Sequence, residues 1–213
     1  MPPLVLCYHA VSPRWEHRLS IQPDLLLRQV RLLRRVRRVR VTFDDAFRSS
    51  ASVFPALERL GVPVQIFVCA AFARTGGTLA IPELEGDDAQ ELATMTWADL
   101  RDHVERGVDI GSHTLTHPHL IQLSGDELAR ELRDSKAEIE EELGRPCPDL
   151  AYPYGEYDDR VRRAARTAGY DRAFALWGGP ADDPYAVRRL DLYRRHTPAR
   201  ALLMLTNLHR FAA

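Results

Sequence analysis

The sequence is almost without lysine: Lys136 is the only one among 29 basic residues, and the arginine that replaces it reads as genomic base composition, not as mechanism. Cysteine is scarce too. Cys7, Cys69 and Cys147 are odd in number and show no CxxC spacing, which excludes a disulfide framework or a thiolate metal site and fits a reducing compartment. No window approaches the roughly 20 apolar residues of a spanning helix. The apolar run after Met1 is too short, and lacks the basic start, for a secretory signal, so the expected address is the cytoplasm. Surplus charge is missing as well. With Lys+Arg at 29 against Asp+Glu at 30, the net charge of -1 gives no global attraction to nucleic acid or an anionic membrane. Hydrophobic residues at 45% and charged residues at 28% match globular usage and exclude disorder, collagen-like repeats and coiled coil.

What is present is a chain of 213 residues, long enough to bury a sizeable core. β-rich runs fall at about 4–8, 39–43, 64–68, 108–112, 149–152, 171–176 and 187–192. Helical patterns lie between them. Residues 24–36 set Leu25, Leu26, Leu32, Leu33 and Val36 against arginines, and 52–60 place Val53, Phe54, Leu57 and Leu60 on one stripe before Gly61. The clearest helix is 125–143, opened by a Ser124/Glu127 capping box and stopped by Gly144. Another fits 158–168, before Gly169. This alternation predicts an α/β fold with a parallel sheet and helical crossovers, open or closed into a barrel. No repeat or Gly/Pro/Ser-rich linker divides the chain, so 1–213 reads as a single domain, with 74–95 a loop or small insertion.

In parallel α/β folds chemistry sits just beyond the carboxyl ends of the strands. His9 follows the first run, Asp44 and Asp45 the second, His113 and His117 the fourth, and Tyr152-Pro153-Tyr154-Gly155 the fifth. A spacing of four puts His113 and His117 on one side of a helix or a strand. Two imidazoles and one carboxylate form a divalent-metal set, with zinc, cobalt and iron(II) fitting about equally. Asp44 and Asp45, adjacent on an extended segment, face opposite ways; one ligand and one base is the economical assignment. Neighbouring aspartates also serve as turn or N-cap residues, and HxxxH pairs also occur on surfaces or in cores. The conjunction at separate strand ends is what points to a site. His119 turns away from His117 and is taken as a loop or supporting residue, while His17, His103, His196 and His209 are read as surface. The seven arginines from Arg28 to Arg40 could bind phosphate or nucleic acid, yet lack interleaved aromatics; a solvated helix face is expected.

Thr42-Phe43-Asp44-Asp45, Ser112-His113-Thr114-Leu115-Thr116-His117-Pro118 and Tyr152-Pro153-Tyr154-Gly155 resemble the ordered motifs of polysaccharide deacetylases, the NodB-homology group of carbohydrate esterase family four. The resemblance implies a distorted (β/α)7-type barrel that removes an N-acetyl or related N-acyl group from an amino sugar with the help of a divalent metal, zinc first, with cobalt or iron(II) as alternatives. It makes Asp45, His113 and His117 the metal ligands, Asp44 the general base and the Tyr154 backbone N–H an oxyanion donor. The chain departs from the pattern in places. Ala46 replaces a glycine. The arginine that orients the base is missing near Ala151 and Tyr152, with Arg189 as its stand-in. The short link from the first strand to Asp44 implies that one side of the barrel is open. The late leucine/histidine motif reappears at the front as Leu6-Cys7-Tyr8-His9, as in circularly permuted relatives, making His9 the candidate acid with Tyr8 in support. Tyr8-His9 also fits a plain strand cap. A catalytically silent carbohydrate-binding module is the alternative function.

Overall fold

The computed structural model describes residues 2–85, 88–176 and 183–208. β1 (Leu4–Tyr8) leads through a small parallel pair, β2 (Ala10–Val11) and β3 (Ser20–Ile21), into α1 (Pro23–Leu33). Next come β4 (Val39–Phe43), α2 (Phe54–Arg59), β5 (Val64–Val68), the short α3 (Ala70–Ala73), α4 (Trp97–Glu105) and β6 (Asp109–Ser112). The chain continues through α5 (Gly125–Leu143), β7 (Asp149–Ala151), α6 (Asp159–Thr167), β8 (Arg172–Ala175), β9 (Val187–Arg188), β10 (Leu190–Asp191) and α7 (Pro198–Leu208).

The main sheet runs β10-β1-β4-β5-β6-β7-β8-β9, parallel at every step. β9 and β10 are halves of one stretch interrupted at Arg189: Val187 pairs with Phe174 on one edge, and Leu190 pairs with Leu6 on the other. The sheet therefore curls into a barrel whose ends meet at 187–191. This corrects the expected open side. β1 lies directly against β4, in register from Leu4↔Val39 to Tyr8↔Phe43, with α1 as the crossover, so no further strand is needed there.

β1 and β5 are buried at every position, as strands covered on both faces must be. Leu6, Val41, Ile66 and Leu150 fill the core, against which α1 sets Leu26, Val30 and Leu33 and α5 sets Leu128, Leu132 and Ile139. Each such side chain contributes about 1.5–3 kcal/mol on leaving water. The capping box at Ser124 forms as its sequence dictates, and Gly144 ends α5 with a left-handed φ of 63°. α1 stops three residues short of the predicted end, because the chain turns there to enter β4; Val36 is left 62% exposed. Arg28, Arg31, Arg34, Arg35 and Arg38 are exposed. The 74–95 segment folds over a smaller cluster in which Leu79, Leu84 and Leu92 pack with Trp15 and Phe47. α4 and α7 escaped the reading of periodicity, although the Thr96/Asp99 capping box marks the start of α4. Among the described residues no helix is long and apolar enough to cross a membrane. His209 lies outside the described residues.

Candidate active site

β4 delivers the two carboxylates. Asp44 N–H donates to Tyr8 O at 2.9 Å, extending the ladder with β1 by one residue. The backbone then turns left-handed at Asp45 (φ 66°) and Ala46 (φ 51°). This corrects the extended-segment expectation: the turn brings neighbouring side chains to the same place, with His113 Nε2 3.9 Å from Asp44 and 3.6 Å from Asp45. Ala46 occupies the glycine position of the resemblance in a conformation that costs an L-residue about 1 kcal/mol.

Arg189 is buried and holds both oxygens of Asp44, Nη1 at 2.5 Å and Nη2 at 2.7 Å. Cys7 Sγ approaches the same carboxylate at 3.4 Å, and Thr42 Oγ1 accepts from Arg189 at 3.2 Å. Burial alone would raise the Asp44 pKa, but the guanidinium outweighs it and keeps the carboxyl well below its usual range. Asp44 is thus an oriented, ionised carboxylate. Cys7, His9 and Asp44 also lie within 4.8 Å of one another. With Arg189 on Asp44 and the Cys7 thiol pushed up by burial, that trio is unsuited to a cation.

The histidine pair rides on neither a helix nor a strand, contrary to its spacing, but on a turn with left-handed residues at Thr114 (φ 71°) and His117 (φ 63°). His117 N–H donates to Thr114 Oγ1 at 3.1 Å, and Glu131 of α5 accepts from Leu115 N, Thr116 N and Thr116 Oγ1 at 2.9, 3.0 and 2.6 Å. Sequence reasoning missed Glu131. Its helix position gave no signal of a clamp on the histidine loop. His113 Nδ1 lies 2.8 Å from Ala151 O, a contact that fixes the proton there and leaves the Nε2 lone pair facing Asp45. Burial brings the His113 pKa down to about 4 and lowers that of His117 as well, so both imidazoles are neutral.

Asp45, His113 and His117 offer donor atoms all within 4.8 Å of one another. His117 Nε2 is 3.4 Å from Asp45 Oδ1, a buried oxygen that accepts no hydrogen bond. Burial and the Asp44 charge push the Asp45 carboxyl upward, a penalty that a divalent cation would remove. The residues fit such an ion.

The remaining candidates line the same cavity of about 620 Å³, with one exception. Tyr154 takes a left-handed φ of 59°, and its ring stacks on His119 at 3.8 Å; His119 in turn meets Glu156 at 3.0 Å. His9 faces the cavity with a buried Nδ1 that has no hydrogen-bond partner, beside Tyr193 at 6.3 Å. Burial first, then Arg189 and Arg18, bring its pKa down to about 4 against the pull of Asp44, so His9 is neutral at rest rather than poised near neutral pH. Tyr8 is the exception. Side chains alternate along β1, so Tyr8 points away from the cavity and donates to Gln29 Oε1 at 2.9 Å. His196, read as surface, is buried and borders the cavity, its carbonyl held by Gln29 at 2.5 Å. His17 stacks on Trp15 and His103 packs edge-on to Phe54, both half-buried.

The family model described as polysaccharide deacetylase matches residues 34–173. The chain belongs to that family. Asp44, Asp45, His113, His117 and Tyr154 fall inside the matched stretch, whereas His9 and Arg189 of this deacetylase relative fall outside it. A Bacillus subtilis (strain 168) protein named as a polysaccharide deacetylase, YxkH, is 24% identical over 156 residues, 71% of this chain and 50% of its own length. The chain thus spans about half of that curated relative. Among solved structures, the Streptococcus pyogenes deacetylase PplD, in complex with acetate, superposes with a TM-score of 0.77 at 20% identity, over 94% of this chain and 96% of that one. IcaB from Ammonifex degensii gives 0.76 at 24% identity, over 93% and 95%. These likenesses show the barrel fold.

Proposed function

We propose that the 1–213 chain acts as one unit that hydrolyses the N-acetyl, or a related N-acyl, group of an amino sugar with the help of a divalent metal. The observation that carries this reading is the pairing of an ionised, arginine-held Asp44 with an adjacent Asp45-His113-His117 donor set in one cavity. Asp45, His113 and His117 would hold the ion. Zinc comes first for two imidazoles and a carboxylate, with cobalt and iron(II) close behind. A divalent cation bound there supplies Lewis acidity to the acyl oxygen and to water.

The chain's own groups supply the rest. Asp44, held by Arg189, takes the proton of the attacking water. The Tyr154 backbone N–H donates to the developing oxyanion, a role worth about 3 kcal/mol in comparable sites. An amine leaves only after protonation, and His9 stands within 4.8 Å of Asp44 to provide it. Because His9 is neutral at rest, the proton it delivers is the one Asp44 has just accepted. In this reading the acid directly follows the first strand, in a permuted order.

The deciding experiment is acetate release from a panel of N-acetylated amino sugars, run alongside metal analysis of the purified protein. Release that is abolished by chelation and restored by zinc supports the proposal. Stoichiometric metal without release from any amide would favour a silent sugar-binding protein.

A further inference from the structure

The cavity carries more positive charge than hydrolysis requires. We propose that it contains a subsite for an anionic group, so that the substrate is an N-acylated amino sugar bearing a phosphate or a carboxylate. The sugar in this inference rests on the deacetylase reading; the anion rests on charge alone.

Arg18, Arg188, Arg189 and Arg195 line the cavity against Asp44, Asp45 and Asp191. Asp44 is committed to Arg189 through two short contacts, and Asp45 belongs to the ion-binding set. Among the cavity's described carboxylates, Asp191 then remains to answer Arg18 and Arg195. Its carboxyl is already engaged with Tyr193, and burial pushes it up to about 6, which weakens it as a counter-ion. Arg18 and Arg195 form no ion pair among the described residues. Both are exposed, and the Arg195 guanidinium lies over the Tyr193 ring at 5.0 Å. An unbalanced pair of arginine forks at a cavity mouth is suited to phosphate or carboxylate oxygens.

Position says which part of the substrate bears the charge. His9 must reach the departing nitrogen, which belongs to the sugar, and the His9 ring lies beside Tyr193. Arg18 is close enough to shift both His9 and Tyr193 electrostatically. The basic groups therefore flank the sugar side of the scissile bond rather than the acyl side.

The test uses the zinc-loaded protein with N-acetylglucosamine, N-acetylglucosamine 6-phosphate, N-acetylglucosamine 1-phosphate and N-acetylmuramic acid, following acyl release and, by calorimetry, binding. The expected result is a kcat/KM at least about tenfold higher for one or more charged sugars, shrinking as salt rises. The phosphate and carboxylate arms identify which anion is favoured. Arg18→Gln with Arg195→Gln should bring the charged-to-neutral ratio toward one, acting on KM. Arg28→Gln with Arg31→Gln, on the outer face of α1, should leave that ratio alone. A wild-type ratio near one, or a ratio unmoved by the Arg18 and Arg195 changes, overturns the inference while leaving the deacetylase reading intact. If no sugar releases its acyl group, the deacetylase reading fails and calorimetry decides: tighter binding of charged sugars sustains the subsite, and equal binding removes it.

Discussion

Arg189 and Asp44, 145 positions apart, form a doubly bonded, buried ion pair at the wall of the cavity. Breaking such a pair strands a buried charge, so Arg189→Met should lower unfolding free energy by about 3–5 kcal/mol, measured by urea denaturation. The double variant with Asp44→Asn should recover part of that loss and none of the activity. A single variant as stable as the wild type would show that the pair is not the buried contact described above.

Asp44 and Asp45 should separate chemistry from ion binding. Asp44→Asn is expected to cut turnover by at least about 100-fold while zinc stays stoichiometric. Asp45→Ala and His117→Ala should lose both. Elemental analysis with acetate release reads the two effects independently, and an active Asp44→Asn protein would refute the base assignment.

His9→Ala should reduce turnover by about 100-fold or more with little change in zinc content. The loss should be smaller for an N-acyl compound whose amine leaves without help. Equal losses on both kinds of substrate would mean that His9 does not protonate the leaving nitrogen.

Asp191 gives a pH dependence with a definite sign. Burial raises its folded-state pKa to about 6, from about 4 in an unfolded chain, so the folded protein retains a proton that the unfolded one releases. Its contribution to stability is fully present below about pH 4 and is lost as pH rises through 6. Asp191→Asn should therefore stabilise the protein by about 2 kcal/mol at pH 8 and by almost nothing at pH 4. Thermal melts at the two values check this.

The strands and α5 were legible because their signals are local: buried apolar runs, a capping box and a glycine stop. The side chains of the candidate cavity were legible as types at strand ends. Their geometry was not. Left-handed turns at Asp45, Thr114 and His117 are made by ordinary residues, which give no glycine-like mark in a sequence. Barrel closure was hidden because each half of 187–191 is only two residues long and each answers to a different neighbour. His196 looked solvent-facing because Gln29, which holds its carbonyl, lies 167 positions away.

The stave at 187–191 touches both the start of the chain and the strand made just before it, and Arg189 sits at its break. A ribosome-bound or clipped chain ending before that point would already own both aspartates and both imidazoles, yet Asp44 would lack the guanidinium that keeps it charged. The motifs are thus in hand before the ring closes, and only its final turn completes the ion pair that links them to the far end of the chain.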